Sequence, residues 1–263
     1  MRYLRLLAQF VTVSVQHELA YQTNFWISLL HSVLNLGTGV LGVVVLFGQI
    51  ETVHGWTFNA TLALLGVYLT LGALRGLFIE PSLDALAGIE GEIHDGRFDF
   101  VLLRPVDTQF LASFRYWRPL ALIDLLLGAG VLAVAVARLG QSVTPLQVVT
   151  FLITLGVGVT ILYAILLGLT ALIFWSPGFF YTWVFNGIFQ MARYPVALYP
   201  GWLRLVLTWV IPVGVMTTVP AQALTGGLSA GMLGGSIAIA LILLGATSAL
   251  FRVGLRRYAS ASS

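Results

Sequence analysis

Seven of the ten acidic residues in this chain fall between Glu80 and Asp107, and nearly everything on either side of that segment is apolar. That distribution leaves few folds open. The chain has 263 residues, of which 59% are hydrophobic and only 9% charged, against roughly 25% charged in an ordinary soluble domain. A bilayer span needs about 20 consecutive apolar residues, and several such runs are present. Charge can gather only where the chain leaves the hydrocarbon, so residues 80–118 read as one polar island between spans, flanked by Arg97, Arg104, Arg115 and Arg118.

The net charge of +3 comes from arginine alone, since the chain has no lysine. The arginines are dispersed along the sequence, which argues against a nucleic-acid partner. With no cysteine, disulfides, thiolate metal sites and cysteine nucleophiles are excluded. The first residues lack the compact apolar core and small-residue cleavage site of a secretory signal. Arg2, Arg5, Gln9, Thr12 and Gln16 instead recur at helical spacing, which predicts an amphipathic helix over 1–20 lying in the membrane interface.

Hydropathy predicts spans over about 25–47, 56–78, 119–137 and 148–175, with Ser176, Pro177 and Gly178 ending the fourth. Beyond them, Pro195, Pro200, Pro212 and Pro220 punctuate a stretch that is still apolar. Arginine near span ends marks the cytoplasmic side. The N-terminus, the island and the C-terminal Arg252, Arg256 and Arg257 all fall on that side if there are six spans. The fifth is therefore placed at 179–194 and the sixth at about 228–251. Residues 195–224 become an outer re-entrant hairpin, whose irregular backbone must be covered by protein or water. The expected fold is an all-α polytopic membrane protein forming a single transmembrane domain over 1–263. Glycines four apart, Gly72 with Gly76 and Gly231 with Gly235, offer close helix approaches, as do the span residues Gly156 and Gly168.

Within the island, Pro81 and Ser82 suit a helix start, and Leu83, Leu86, Ile89 and Ile93 form an apolar stripe. A plain connector needs only a few residues, so a loop of this length suggests a docking element. Its heart reads GEIHDGRFDFVLLRPVD, from Gly91 to Asp107. This run resembles the cytoplasmic loop of ABC-2-type transporter permeases, in particular those encoded as two permeases beside one ATPase. The specific part is the Gly-Glu-Ile start, the Gly-x-x-Asp and the Leu-Leu-Arg-Pro; the spans agree with the family only in pattern. The resemblance implies a coupling helix that docks on a separate ABC ATPase, with Glu90, Gly91, Glu92, Ile93, Gly96, Arg97, Asp99, Leu102, Leu103, Arg104 and Pro105 as contact or loop-shaping residues. It also implies a second permease chain as partner, in a homo- or heterodimer surrounded by membrane lipid. The site would be the cytoplasmic (inner) membrane of a bacterial cell, with both termini cytoplasmic.

Without lysine there is no Walker A sequence, G-x-x-x-x-G-K-[ST], and so no ATPase site of the chain's own. The chain is expected to be no enzyme and to bind no cofactor, ATP and Mg being held by the partner ATPase. Ionisable groups within spans are functional candidates. Arg75 and Asp124 lie at similar depth and form a possible pair. The simpler alternative, which the sequence favours, has Arg75 reaching the interface and Asp124 pairing with Arg115 or Arg118. His31 and Asn35 share a helix face and read chiefly as packing groups, with cavity lining as the alternative. Arg193 and Arg204, with Trp202 and neighbouring aromatics, mark either an exit gate or an interfacial belt. The expected function is export of a lipophilic or amphipathic compound. An ion-coupled secondary transporter, with Asp124 as the sole candidate carboxylate, and a membrane scaffold recruiting a soluble partner are the alternatives.

Overall fold

The computed structural model describes residues 2–19, 22–88, 90–140, 142–176 and 181–258. Ile89 of the expected apolar stripe, the Pro177–Gly178 break and the start of the expected fifth span lie outside these. The amphipathic N-terminal segment forms α1 (Arg2–Leu19), with Arg5, Gln9, Thr12 and Gln16 exposed and Phe10, Val11 and Val15 half-buried. Then come α2 (Gln22–Leu46), a two-residue hairpin (Thr52–Val53 with Trp56–Thr57) and α3 (Phe58–Leu74). His54 and Gly55 both have positive φ, 50° and 82°, the conformation of a tight hairpin turn.

Helix α3 does not stop where hydropathy ends the span. It continues through a π-helical turn (Arg75–Ile79) into α4 (Glu80–Asp84), so that one rod runs from Phe58 to Asp84. The first residues of the island are thus the end of a membrane helix, and Glu80 is buried at 8% exposure. The remainder holds two short helices, α5 (Asp99–Leu102) and α6 (Thr108–Phe114). Three long helices follow: α7 (Ala121–Arg138), α8 (Pro145–Ala171) with a 3-10 turn to Phe174, and finally α12 (Ala230–Arg257). Helix α8 begins at a capping box between Thr144 and Gln147, with Pro145 in its first turn. That start is earlier than hydropathy places it, because two polar residues closing the orphan amides look like loop on a hydropathy scale.

Among the described residues, five helices are long and apolar enough to cross a bilayer, or six if the bent pair Gly201–Val210 and Val213–Thr225 is one span. Of the expected fifth span, the described residues hold α9 (Tyr181–Met191), 11 residues or about 16 Å of helix, beside a hydrocarbon core of ~30 Å. Its start lies beside Asp84 at the island end of the α3–α4 rod, where Tyr181 Oη and Thr182 Oγ1 donate to Asp84 Oδ1 at 3.0 and 2.6 Å. Its end meets α11 (Val213–Thr225), where Thr217 Oγ1 donates to the Ala192 carbonyl at 3.0 Å. A Cβ on Gly158, midway along α8, would lie 2.8 Å from the Met216 carbonyl oxygen. From that level α11 runs on to Gly226, whose neighbour is Gln147 at the far end of α8. Helices α9 and α11 therefore occupy the island-side and far-side halves of one crossing. Between them, α10 (Gly201–Leu205) and a π turn to Val210 meet α11 at 87° across Pro212. The region expected as a re-entrant hairpin holds this bent helix pair, the geometry of a broken span or of a re-entrant loop, and its second arm runs on toward the side that α9 does not reach.

The most extensive helix contact is between α3 and the antiparallel α7. A Cβ on Gly66 would lie 2.8 Å from the Leu132 amide nitrogen, and one on Gly128 the same distance from that of Thr70. The two backbones touch through these glycines. The pairs singled out by spacing do not do this. Gly72 and Gly76 would make only ordinary contacts, and Gly156 and Gly235 face open space.

Candidate functional site

Two features gather the chain's polar residues: the island, and a cavity inside the helix bundle. The island has a core of its own. Glu92 is 5% exposed. Its carboxylate pairs with the Arg115 guanidinium and accepts a hydrogen bond from Tyr116 Oη at 2.9 Å. Burial, more than the nearby charges, raises the Tyr116 pKa, so the phenol stays a donor to Glu92. The turn around Glu92 is closed by its amide donating to Ala85 O and its carbonyl accepting from the Phe98 amide, both at 2.9 Å. Gly91 fits there because a Cβ would lie 2.4 Å from the Ala87 carbonyl oxygen. Gly96 takes a φ of 72°, which a side chain would strain.

The buried face of this core clasps the helix ends around it. Phe98 is fully buried, its ring 6.0 Å from that of Phe174 and 5.5 Å from that of Tyr258. The Tyr258 pKa is pushed up to about 12, first by burial and then by the Asp99 carboxylate. Gln109 Nε2 donates to Tyr163 Oη in α8 and Ser248 Oγ in α12, at 3.2 and 3.0 Å. The amides of Trp117 and Leu120 donate to Ser14 Oγ and Glu18 Oε2 of α1, at 3.1 and 2.8 Å. Displacement of the island would therefore be felt at once by α1, α4, α8, α9 and α12.

Its outer face is different. Phe100 is 69% and Leu103 80% exposed, with Leu102, Arg104 and Pro105 exposed beside them and Glu90, Asp95 and Arg97 also at the surface. Arg97 is held locally, donating to Asp95 Oδ2 at 3.1 Å and to the Glu90 carbonyl at 2.9 Å. The resemblance-based residues thus divide. Leu102, Leu103, Arg104, Pro105, Glu90 and Arg97 form a surface; Gly91, Glu92, Ile93, Gly96 and the half-buried Asp99 build what lies beneath it. The sequence gives no sign that Arg115 and Tyr116 are the partners of Glu92, since 23 and 24 positions separate them. Phe100, inside the same run, is the exposed apolar residue that the family pattern leaves out.

The cavity holds about 580 Å³ between α2, α3, α7 and α9, lined among others by His31, Asn35, Arg75, Asp124, Asn186 and Arg193. A charged group at bilayer depth costs roughly 3 kcal/mol on insertion scales, so each must be compensated. Arg75 is, by Glu80 at 3.3 Å and by Asn186 Oδ1 at 2.8 Å. Five residues lie about 140° apart around a regular α-helix. The π turn, with its i→i+5 hydrogen bonding, brings Arg75 and Glu80 onto one face. Arg193 donates to Asn35 Oδ1 at 2.8 Å, and its guanidinium lies 5.3 Å from the Tyr68 ring centre. Among the described residues it has no carboxylate partner.

Asp124 likewise has no hydrogen bond or ion pair among the described residues, so neither pairing foreseen for it forms. Arg75 is taken by Glu80 and Arg115 by Glu92. Arg118 and Asp124 do line the same cavity. His31 and Asn35 are cavity-lining, the alternative that the sequence weighed second. Asn186 and Gln190 were not foreseen although the expected fifth span contains both, because they carry no charge and only the fold shows that they face the cavity. Arg204 and Trp202 lie away from the cavity, exposed on α10, with Arg204 donating to the Ala197 carbonyl at 2.7 Å.

Comparison with curated proteins finds no match. A family model described as ABC-2 family transporter protein matches residues 33–262, from the middle of α2 to beyond α12 and including the whole island, and the chain belongs to that family.

Proposed function

We propose that this multi-pass permease subunit of an ABC transporter is driven by a separate ATPase that docks on the outer face of the island. The reading rests on one observation: an exposed Phe100–Leu102–Leu103–Arg104–Pro105 ridge mounted on a buried, ion-paired core. Apolar residues on such a ridge favour a dry contact, and the flanking Glu90, Arg97 and Arg104 supply register and association rate. ATP and Mg are bound by the partner. A second permease chain completes the path, and the direction is export of a lipophilic or amphipathic compound. The island lies on the cytoplasmic side of a bacterial inner membrane, together with both termini.

The test is co-purification with an ABC ATPase co-expressed with this chain. Leu103→Asp places a charge in the centre of the ridge, and the expected result is at least a tenfold loss of ATPase binding, or about 1.4 kcal/mol, with an unchanged unfolding temperature. Full assembly with Leu103→Asp and Phe100→Asp together would sink the docking surface. Asp124 and the broken α9–α11 crossing favour the ion-coupled alternative, since secondary transporters combine intramembrane carboxylates with interrupted helices. Transport driven by a proton gradient in vesicles lacking any ATPase would establish that reading instead.

A further inference from the structure

We propose that the Arg193 end of the cavity binds the anionic headgroup of an amphipathic molecule. Arg193 sits at mid-depth: its partners Asn35 and Tyr68 lie near the centres of α2 (Gln22–Leu46) and of the Phe58–Asp84 rod. Guanidinium stays charged at any accessible pH, so a group there needs an anion. The protein offers it a neutral amide and a ring face, and its Nε is buried with no hydrogen-bond partner. Arg75 shows the same orphaned Nε although its other nitrogens are engaged. The cavity carries three arginines against two acids, with His31 in addition. Glu80 is already committed to Arg75, and Asp124 is on α7, the first turn of which it occupies. The uncompensated positive charge is therefore at the mid-membrane end.

A phosphate or carboxylate fits this end chemically, because guanidinium binds planar or tetrahedral oxyanions through paired N–H donors. Exposed Trp26, Ile27 and Leu30 lie on α2, the helix that supplies Asn35, His31 and Ile27 to the cavity wall. They give an attached hydrocarbon chain an apolar surface about 8–14 Å along α2 from Asn35. The inference rests on the proposed transport function for what the site is used for. Binding itself is independent of it and is measured on the permease alone.

The purified chain in phosphatidylcholine nanodiscs is titrated with dioctanoyl phosphatidic acid, dioctanoylglycerol or inorganic phosphate, following intrinsic fluorescence and unfolding temperature. Phosphatidic acid is expected to bind at least about tenfold more tightly than the uncharged glyceride, the scale of one or two charge-assisted hydrogen bonds. Asn35→Asp supplies Arg193 with an internal counter-ion, so it is expected to fold and to lose that preference. Arg193→Lys is expected to retain part of it, and Arg138→Gln, which removes an exposed arginine outside the cavity, to change nothing. Phosphate competing with phosphatidic acid in an Arg193-dependent way upholds the site and assigns it to free oxyanions. Phosphatidic acid bound without such competition assigns it to a lipid-like headgroup. Equal affinity for the glyceride, or a preference undiminished in Asn35→Asp, overturns the proposal. A failure of ATPase docking would leave all of these outcomes readable.

Discussion

Glu92→Ala is expected to unfold the island rather than to weaken a docking contact. The carboxylate is buried against Arg115 and Tyr116, and removing one member of such a pair strands the other charge. The usual cost is about 3–5 kcal/mol, a large share of the ~5–15 kcal/mol by which a typical domain is stable. The check is thermal unfolding in detergent, with susceptibility of the 85–118 segment to limited proteolysis. Arg104→Ala, at an exposed site, is the reference and should leave both unchanged. The pair can also be replaced whole: Glu92→Leu with Arg115→Met removes both charges, and apolar replacement of a buried pair is often neutral. The double variant should recover most of the stability lost in Glu92→Ala. If Glu92→Ala unfolds at the wild-type temperature, the buried pair is not what holds the island.

The second large effect is expected where α3 and α7 touch. Gly66→Ala and Gly128→Ala each push a methyl to 2.8 Å from a backbone nitrogen of the opposite helix. No side chain can rotate away to relieve it, so the helices must separate, at the roughly 1–3 kcal/mol typical of overpacking. Gly168→Ala meets only the Thr247 methyl, at 2.9 Å, and should cost less, because that side chain can adjust. Gly156→Ala meets nothing, and the better helix propensity of alanine, up to about 1 kcal/mol, should make it neutral or stabilising. Unfolding midpoints of the four variants in one detergent decide this. Equal midpoints for Gly66→Ala and Gly156→Ala would show that the α3–α7 contact tolerates a methyl.

The sequence carries its clearest information where one physical rule acts alone. Long apolar runs made α2, α7, α8 and α12 visible, and helical periodicity made α1 visible. The limits appear where two rules compete. Glu80 looks like the start of a loop because it is charged, yet a π turn and Arg75 let the helix carry it onward. Helix α9 is split from its far-side half by 21 residues, so no window of hydropathy sees the crossing whole. Glycine spacing pointed to Gly72 and Gly76, but the touching pair is Gly66 and Gly128, on different helices, and spacing within one helix cannot reveal a partner on another. For the island, the family pattern marks the segment only as a whole. Only the fold separates its surface from its foundation, since Glu92 and Arg104 are equally polar as letters.

The divided crossing also bears on how the protein is made. An insertion machinery that accepts one apolar helix at a time receives α2, the α3–α4 rod, α7 and α8 as self-sufficient pieces. It then meets α9, described over 11 residues, followed by a stretch bent at a proline with arginines at both ends. Lipid offers no partner for the open backbone between the halves. That stretch must wait for the walls that will cover it, formed by helices already in place. The Arg193 region therefore forms only once those walls are present, and a chain in which this crossing fails would present α12 to the bilayer from the wrong side.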